Sequence, residues 1–166
     1  MNILHIICSP RGQASESYRL AQGILGFLLN AHPTAIVTNR LLSAGGLLPI
    51  DGPYAMSQQA SADVTEAGSI ARSNELIDEL QAADILLIAT PMHNFTVPST
   101  LKLWIDHVAR VRRTFNVGAQ GKTSLLQDRP VYVAVASGGR ISGVPPPSTG
   151  LSVALPEGRS GYDRAP

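Results

Sequence analysis

The chain has 166 residues, of which 44% are apolar and 15% charged, with a formal net charge of +1. That composition suits one packed domain and excludes wholesale disorder, and the near-zero charge gives no electrostatic basis for binding nucleic acid or an acidic membrane surface. A single cysteine excludes an internal disulfide framework. No apolar run approaches the roughly 18 residues of a membrane helix. The start lacks a basic leader followed by an apolar run and a small-residue cleavage site, which predicts a cytoplasmic protein.

The first element is the apolar run Asn2 to Cys8, which stops at Ser9-Pro10. A short β-branched run of this kind reads as a strand buried on both faces. The polar stretch Ser9 to Ser17 follows. A helix then begins, with Ala21, Ile24, Leu25, Leu28 and Leu29 on one face, ending before Pro33. Gly23 and Gly26 each cost this helix about 1 kcal/mol relative to alanine, so packing must hold it. Ala35 to Thr38 is a weaker strand.

Residues 43 to 64 read as irregular, punctuated by Gly45, Gly46, Pro49, Gly52 and Pro53. Helical spacing returns from Thr65 to Ala83. Asp84 to Thr90 is the clearest buried strand, and it ends in Pro91-Met92-His93-Asn94-Phe95-Thr96-Val97-Pro98. Leu101, Trp104, Ile105 and Val108 give the next helix its apolar face. Residues 114 to 129 read as a loop or hairpin, and Val131 to Ala136 as a strand ending at Ser137-Gly138-Gly139. Strands and helices therefore alternate, which predicts an α/β fold with a doubly wound parallel sheet.

In such sheets ligands bind outside the carboxyl ends of the strands. Three strand ends carry suitable sequence. Ser9 to Ser17 places hydroxyls and free amides at a helix start, where a phosphate is favoured, although capping by Ser15 or Ser17 alone explains the same residues. Neither the Gly-Lys-Ser/Thr ending of a P-loop nor a GxGxxG fingerprint is present. Pro91 to Pro98 rigidifies an aromatic, an amide and a thioether that suit a planar heterocycle, or else folds Phe95 and Val97 into the core. Ser137-Gly138-Gly139 permits close backbone approach, or is an ordinary turn. The three loops are expected to converge in one crevice.

Elsewhere the sequence is quieter. His5, His32, His93 and His107 lack metal-ligand spacing. Cys8 reads as a buried small hydrophobe. Arg110, Arg112 and Arg113 read as charges complementing a helix dipole. With no nucleophile and base at recognisable spacing, hard chemistry would fall to a cofactor, with no side chain assigned as catalytic.

The segment Ala83 to Phe95, continued by Val97-Pro98-Ser99-Thr100-Leu101-Lys102 and Trp104-Ile105-Asp106, resembles the FMN-dependent NADH-azoreductases, NAD(P)H:quinone oxidoreductases of flavodoxin-like fold. Ser9-Pro10-Arg11 with Ser15-Glu16-Ser17 resembles the family's phosphate loop, and Val133 to Gly139 its fourth strand and flavin loop. The resemblance covers residues 1 to 143. It implies FMN, NADH or NADPH as donor, quinone or azo acceptors, ping-pong hydride transfer and a homodimer. By the same resemblance Ser9, Ser15, Glu16 and Ser17 hold the phosphate. Pro91, Met92, His93, Asn94 and Phe95 line the ring, and Ser137, Gly138 and Gly139 close over it. Position 93 departs from the family, which commonly has Tyr there. A flavodoxin-like electron carrier and a cofactor-free relic serving as an interaction protein are the competing readings.

The family pattern continues past the fourth strand with a helix, a fifth strand and a last helix. Here five of the twelve prolines fall at positions 145, 146, 147, 156 and 166, and three consecutive prolines exclude helix interior or central strand. The expectation is a flavodoxin-like domain over 1–143 without the usual fifth strand and last helix. A Pro/Gly/Ser-rich tail would follow over 144–166, as a reading-frame shift would leave, with only Leu151 to Leu155 able to form a short strand.

Overall fold

The computed structural model describes residues 1–43, 47–138 and the backbone of 151–154. A five-stranded sheet runs in the order β2-β1-β3-β6-β7. Its strands are β1 (Asn2–Ile7), β2 (Ile36–Leu41), β3 (Ile85–Pro91), β6 (Val131–Ala136) and β7 (Leu151–Ala154). The first four are mutually parallel, and β7 pairs antiparallel with β6. β4 (Phe115–Gly118) and β5 (Gly121–Ser124) form a separate hairpin. The order of the four parallel strands is the doubly wound one. The edge beyond β6 carries a short antiparallel strand, and the expected boundary at 143 lies outside the described residues.

The nearly continuous apolar run of β1, interrupted by His5, is divided between two cores by the alternation of side chains along a strand. Ile3 packs with Ile85, Leu87 and Ala89 of β3 and Ala134 of β6 under α1 (Glu16–Ala31), which contributes Ala21, Leu25 and Leu28. Leu4, Ile6 and Cys8 face the other way. They meet Leu76, Ile77 and Leu80 of α3 (Gly68–Ala82) and Leu101, Trp104 and Val108 of α4 (Ser99–Val108). Both glycines of α1 are tolerated because that helix is held by this packing.

Two features differ from the sequence reading. The stretch expected to be irregular contains α2 (Gly52–Gln59). Asp51 caps it, accepting the Tyr54 N–H at 2.8 Å, and Pro53 sits in its first turn. Asp-Gly-Pro is thus a helix start within the stretch read as irregular. The same Asp51 carboxylate accepts the Ser69 N–H at 2.9 Å, so one side chain closes the N-termini of α2 and α3. These bonds hold its carboxyl below the usual carboxylate value.

The second difference is the arginine cluster after α4. Arg110 is fully buried. It pairs with Asp63 and donates to Asn74 Oδ1 at 2.8 Å. Arg112 donates to the carbonyls of Ala60 (2.6 Å) and Ser57 (2.7 Å), and Arg113 to Asp78 (2.7 Å). The three guanidinium groups tie residues 57–63 and α3 to the end of α4. Their role is structural cross-linking, which the dipole reading missed because every partner is distant in sequence.

Candidate functional site

The ladder extends one residue past the strands. Cys8 N–H donates to Ala89 O (2.9 Å) and Met92 N–H to Ala136 O (2.7 Å). This brings the loops after β1, β3 and β6 to the same end of the sheet. A cleft of about 720 Å3 opens there, within the roughly 300–1,000 Å3 range of small-molecule sites. Ser9, Ser15, Glu16, Ser17, Pro91, Met92, His93, Ser137 and Gly138 all line it.

The first wall is a tight turn into α1. Ser9 is buried, its Oγ accepting the Arg11 N–H (3.2 Å) and its carbonyl the Gly12 N–H (2.9 Å). Gly12 takes φ +54°, the left-handed region open to glycine. Ser15 caps the helix, accepting the Tyr18 N–H at 3.2 Å while its hydroxyl donates to Gly12 O at 2.7 Å. The first intrahelical bond here runs from Arg19 N–H to Ser15 O (3.0 Å), so the amides of Glu16 and Ser17 stand ahead of it. A helix end of this kind carries partial positive charge and donors suited to an anion. Arg11 and Arg19 reinforce that charge on the cleft wall, and Arg19 pairs with Glu16. Capping and a ligand-ready cleft therefore coexist at Ser15.

The second wall is the end of β3. His93 and Thr96 exchange backbone hydrogen bonds, each 2.9 Å, closing a two-residue hairpin. Its central residues Asn94 (φ 48°) and Phe95 (φ 63°) both lie in the left-handed region, the pattern of a type I′ turn. Asparagine adopts it readily, whereas a phenylalanine there carries strain of order 1–3 kcal/mol. The turn sets two of the expected ring-lining residues apart from the cleft. Asn94 and Phe95 sit at the hairpin tip outside the cleft lining, and Phe95 is 97% exposed, so Phe95 neither lines the cleft nor folds into the core.

The third wall is Ala136, Ser137 and Gly138 at the end of β6. Gly139 lies outside the described residues. An apolar groove of about 450 Å3 adjoins the cleft, sharing Pro91 and Met92 and walled by Ile88, Leu101, Trp104 and Val133.

Sequence reasoning passed over Arg19, Leu20 and Gly23, which also line the cleft. The signal was present at Gly23, a residue unfavourable to its helix. A Cβ there would meet nothing within 4 Å, so the glycine leaves the cleft wall open. Cys8 is wholly buried, and burial pushes its thiol up to about 12, which suits a packing residue and not a nucleophile. Among the described residues no group of three or more His, Cys, Asp or Glu could hold a metal ion, and no helix is long and apolar enough to cross a membrane.

A family model described as flavodoxin-like fold matches residues 1–155. The chain is 46% identical over 138 residues to FMN-dependent NADH:quinone oxidoreductase 4 of Pseudomonas fluorescens, covering 83% of this chain and 66% of that protein. It is 44% identical over 140 residues to FMN-dependent NADH:quinone oxidoreductase 2 of Cupriavidus pinatubonensis, covering 82% and 68%. The chain thus spans about two thirds of the length of these relatives. Among solved structures, an FMN-dependent NADH-azoreductase from Bacillus anthracis in complex with FMN superposes with a TM-score of 0.73. It is 25% identical, with 86% of this chain and 72% of that one covered. A second azoreductase from Bacillus anthracis gives 0.76 at 24% identity, which speaks to the fold.

Proposed function

The chain belongs to the FMN-dependent NADH:quinone oxidoreductases, a family of flavodoxin-like fold, and from that premise we propose that it binds FMN and uses NADH to reduce quinones. The observation that carries the reading is the single cleft in which the ends of β1, β3 and β6 meet over the N-terminus of α1. FMN held there would supply two-electron redox chemistry between NADH and the acceptor.

The donor set fits that group. A phosphate suits the α1 terminus, where the Ser15 and Ser17 hydroxyls and the Glu16 and Ser17 amides gather beside Arg11. Pro91 and Met92 would give a planar ring an apolar wall, and Ser137 and Gly138 line the cleft beside it with a hydroxyl and bare backbone. No acid or base is needed to hold the cofactor. These residues would orient the ring and shield one face of it from water. Ping-pong kinetics, activity on azo compounds, use of NADPH, a homodimer and a cytoplasmic location complete the proposal, resting on the family resemblance.

The test is titration of the purified protein with FMN, followed by NADH oxidation with a simple quinone. Saturable quenching of flavin fluorescence and NADH consumption that requires both FMN and quinone are expected, with parallel double-reciprocal plots. Absence of FMN binding at high micromolar concentration overturns the proposal. Binding without NADH oxidation favours the electron-carrier reading instead.

A further inference from the structure

We propose that the His93 imidazole is the proton donor to the electron acceptor, an inference that rests on the quinone-reductase reading above. Reduction of a quinone by NADH needs a third party. The C–H bond of the dihydronicotinamide breaks and its hydride equivalent reaches the acceptor, while NADH becomes NAD+. One oxygen of the acceptor then carries the negative charge and needs a proton. In the proposed step the imidazolium N–H bond breaks, a new O–H bond forms, and the hydroquinone leaves with two electrons and two protons gained. Neutral imidazole recovers its proton from water.

The cleft wall singles out this residue. Serine hydroxyls hold their protons far too tightly to serve as acids near neutrality, and the Ser15 hydroxyl is already donated to Gly12 O. Arginine does not release a proton in proteins, which removes Arg11 and Arg19. Glu16 is ion-paired with Arg19. Cys8 lies beneath the wall with its thiol pushed up to about 12. Histidine is the side chain type that both gives and takes a proton between pH 5 and 8, and His93 is the histidine on the cleft lining among the described residues.

Its setting fits the role. The backbone of His93 is fixed on both sides. Met92 N–H is bonded to Ala136 O at 2.7 Å, and the His93 N–H and carbonyl are both engaged by Thr96. An imidazole anchored at a strand end keeps its position better than one on a free loop. The side chain is exposed at the cleft, so solvent can restore the proton after each turnover. The charged groups lining the cleft with it are Arg11, Glu16 and Arg19, from the β1 loop and α1. Among the described residues, the end of β6 adds the uncharged Ala136, Ser137 and Gly138.

Two acceptors separate proton donation from every other role of His93. 1,4-Benzoquinone takes electrons and protons, whereas ferricyanide takes electrons alone. FMN-loaded protein, bleached anaerobically with NADH, is mixed with each acceptor across pH 5.5–8.5, for the wild type, His93→Gln and His93→Asn. The readout is the ratio of the two rates, in which any change in FMN affinity cancels. For the wild type the ratio falls tenfold per pH unit above the His93 midpoint, which NMR titration of the imidazole measures independently. In His93→Gln and His93→Asn the ratio at pH 6 falls at least tenfold, toward the 10²–10⁴ typical of general acids, and no longer depends on pH. Wild-type ratios and pH profile in both variants, or a kinetic midpoint that departs from the NMR one, overturn the proposal alone. Failure of the wild type to bind FMN or to be bleached overturns the quinone-reductase reading with it.

Discussion

Replacing Asp63 should destabilise the protein more than replacing Arg110, and removing both should be milder than removing Asp63 alone. Arg110 is wholly buried, whereas the Asp63 side chain keeps 32% of its surface in water. A guanidinium stays charged in proteins. Asp63→Ala therefore strands a buried cation whose remaining partners, Asn74 Oδ1 at 2.8 Å, Ser73 Oγ at 3.3 Å and the Ile70 carbonyl at 3.5 Å, are uncharged. Breaking a buried pair costs about 3–5 kcal/mol, and this variant belongs at the upper end. Arg110→Met leaves a carboxylate that water reaches and Arg112 still approaches at 3.4 Å, so a cost at the lower end of that range, about 3 kcal/mol, is expected. In the double variant no buried charge is left unpaired, and coupling of about 2 kcal/mol should restore part of the loss. Urea unfolding measures all three. With a slope of about 2 kcal/mol/M the Asp63→Ala midpoint falls by roughly 2 M, and the double variant unfolds at higher urea than Asp63→Ala. A double variant as unstable as Asp63→Ala, or an Arg110→Met that costs more than Asp63→Ala, refutes the reasoning.

Two further perturbations test the scaffold. Gly68 takes φ +60°, and a Cβ there would stand 2.5 Å from Asp51 Oδ2. Alanine pays about 1–2 kcal/mol for that conformation and displaces the carboxylate from the Ser69 N–H. Gly68→Ala should therefore lower the melting temperature by about 2–8 °C, and a change within 1 °C would show that the turn relaxes freely. His5 lies buried in β1, where Nδ1–H donates to Asn39 Oδ1 at 3.0 Å and Nε2 has no partner. Burial holds its imidazole below the ordinary value of 6.5. The unfolded chain thus binds the proton more readily than the folded one, so the stabilisation is complete above pH 6.5 and is lost as pH falls below it. The urea midpoint of the wild type should drop between pH 7 and 5 more steeply than that of His5→Gln. Equal slopes would remove His5 as the cause. The Asp51 contribution is lost only below about pH 3.8, outside that window.

The parallel sheet and the meeting of its loops were legible because both follow from local pattern. Ile85 to Ala89 and Val131 to Ala136 are apolar throughout, the signature a strand of a covered parallel sheet carries. Strand polarity then brings Ser9, Pro91 and Ser137 to one end with no knowledge of their contacts. What stayed hidden depends on pairing across long sequence separations. Arg110 meets Asp63 across 47 residues, and no window of a single sequence encodes that distance. Asp51 falls in the stretch read as irregular, and its second partner, Ser69, stands 18 residues away. The hairpin at His93 to Thr96 was hidden for another reason. Asn94-Phe95 is a poor type I′ sequence, and the phenylalanine adopts a left-handed φ against its own preference.

That exception falls beside the cleft. Strain of this kind persists only where the surroundings over-determine the backbone, and such residues cluster at sites. Here the ladder bond from Met92 to Ala136 and the reciprocal bonds between His93 and Thr96 impose the turn. Their consequence is to turn Phe95 out to solvent and hold His93 on the wall. The local misfit at Phe95 and the placement of His93 are thus two outcomes of one four-residue hairpin. A substitution that relaxes the turn, such as Phe95→Gly, tests stability and the position of the imidazole together.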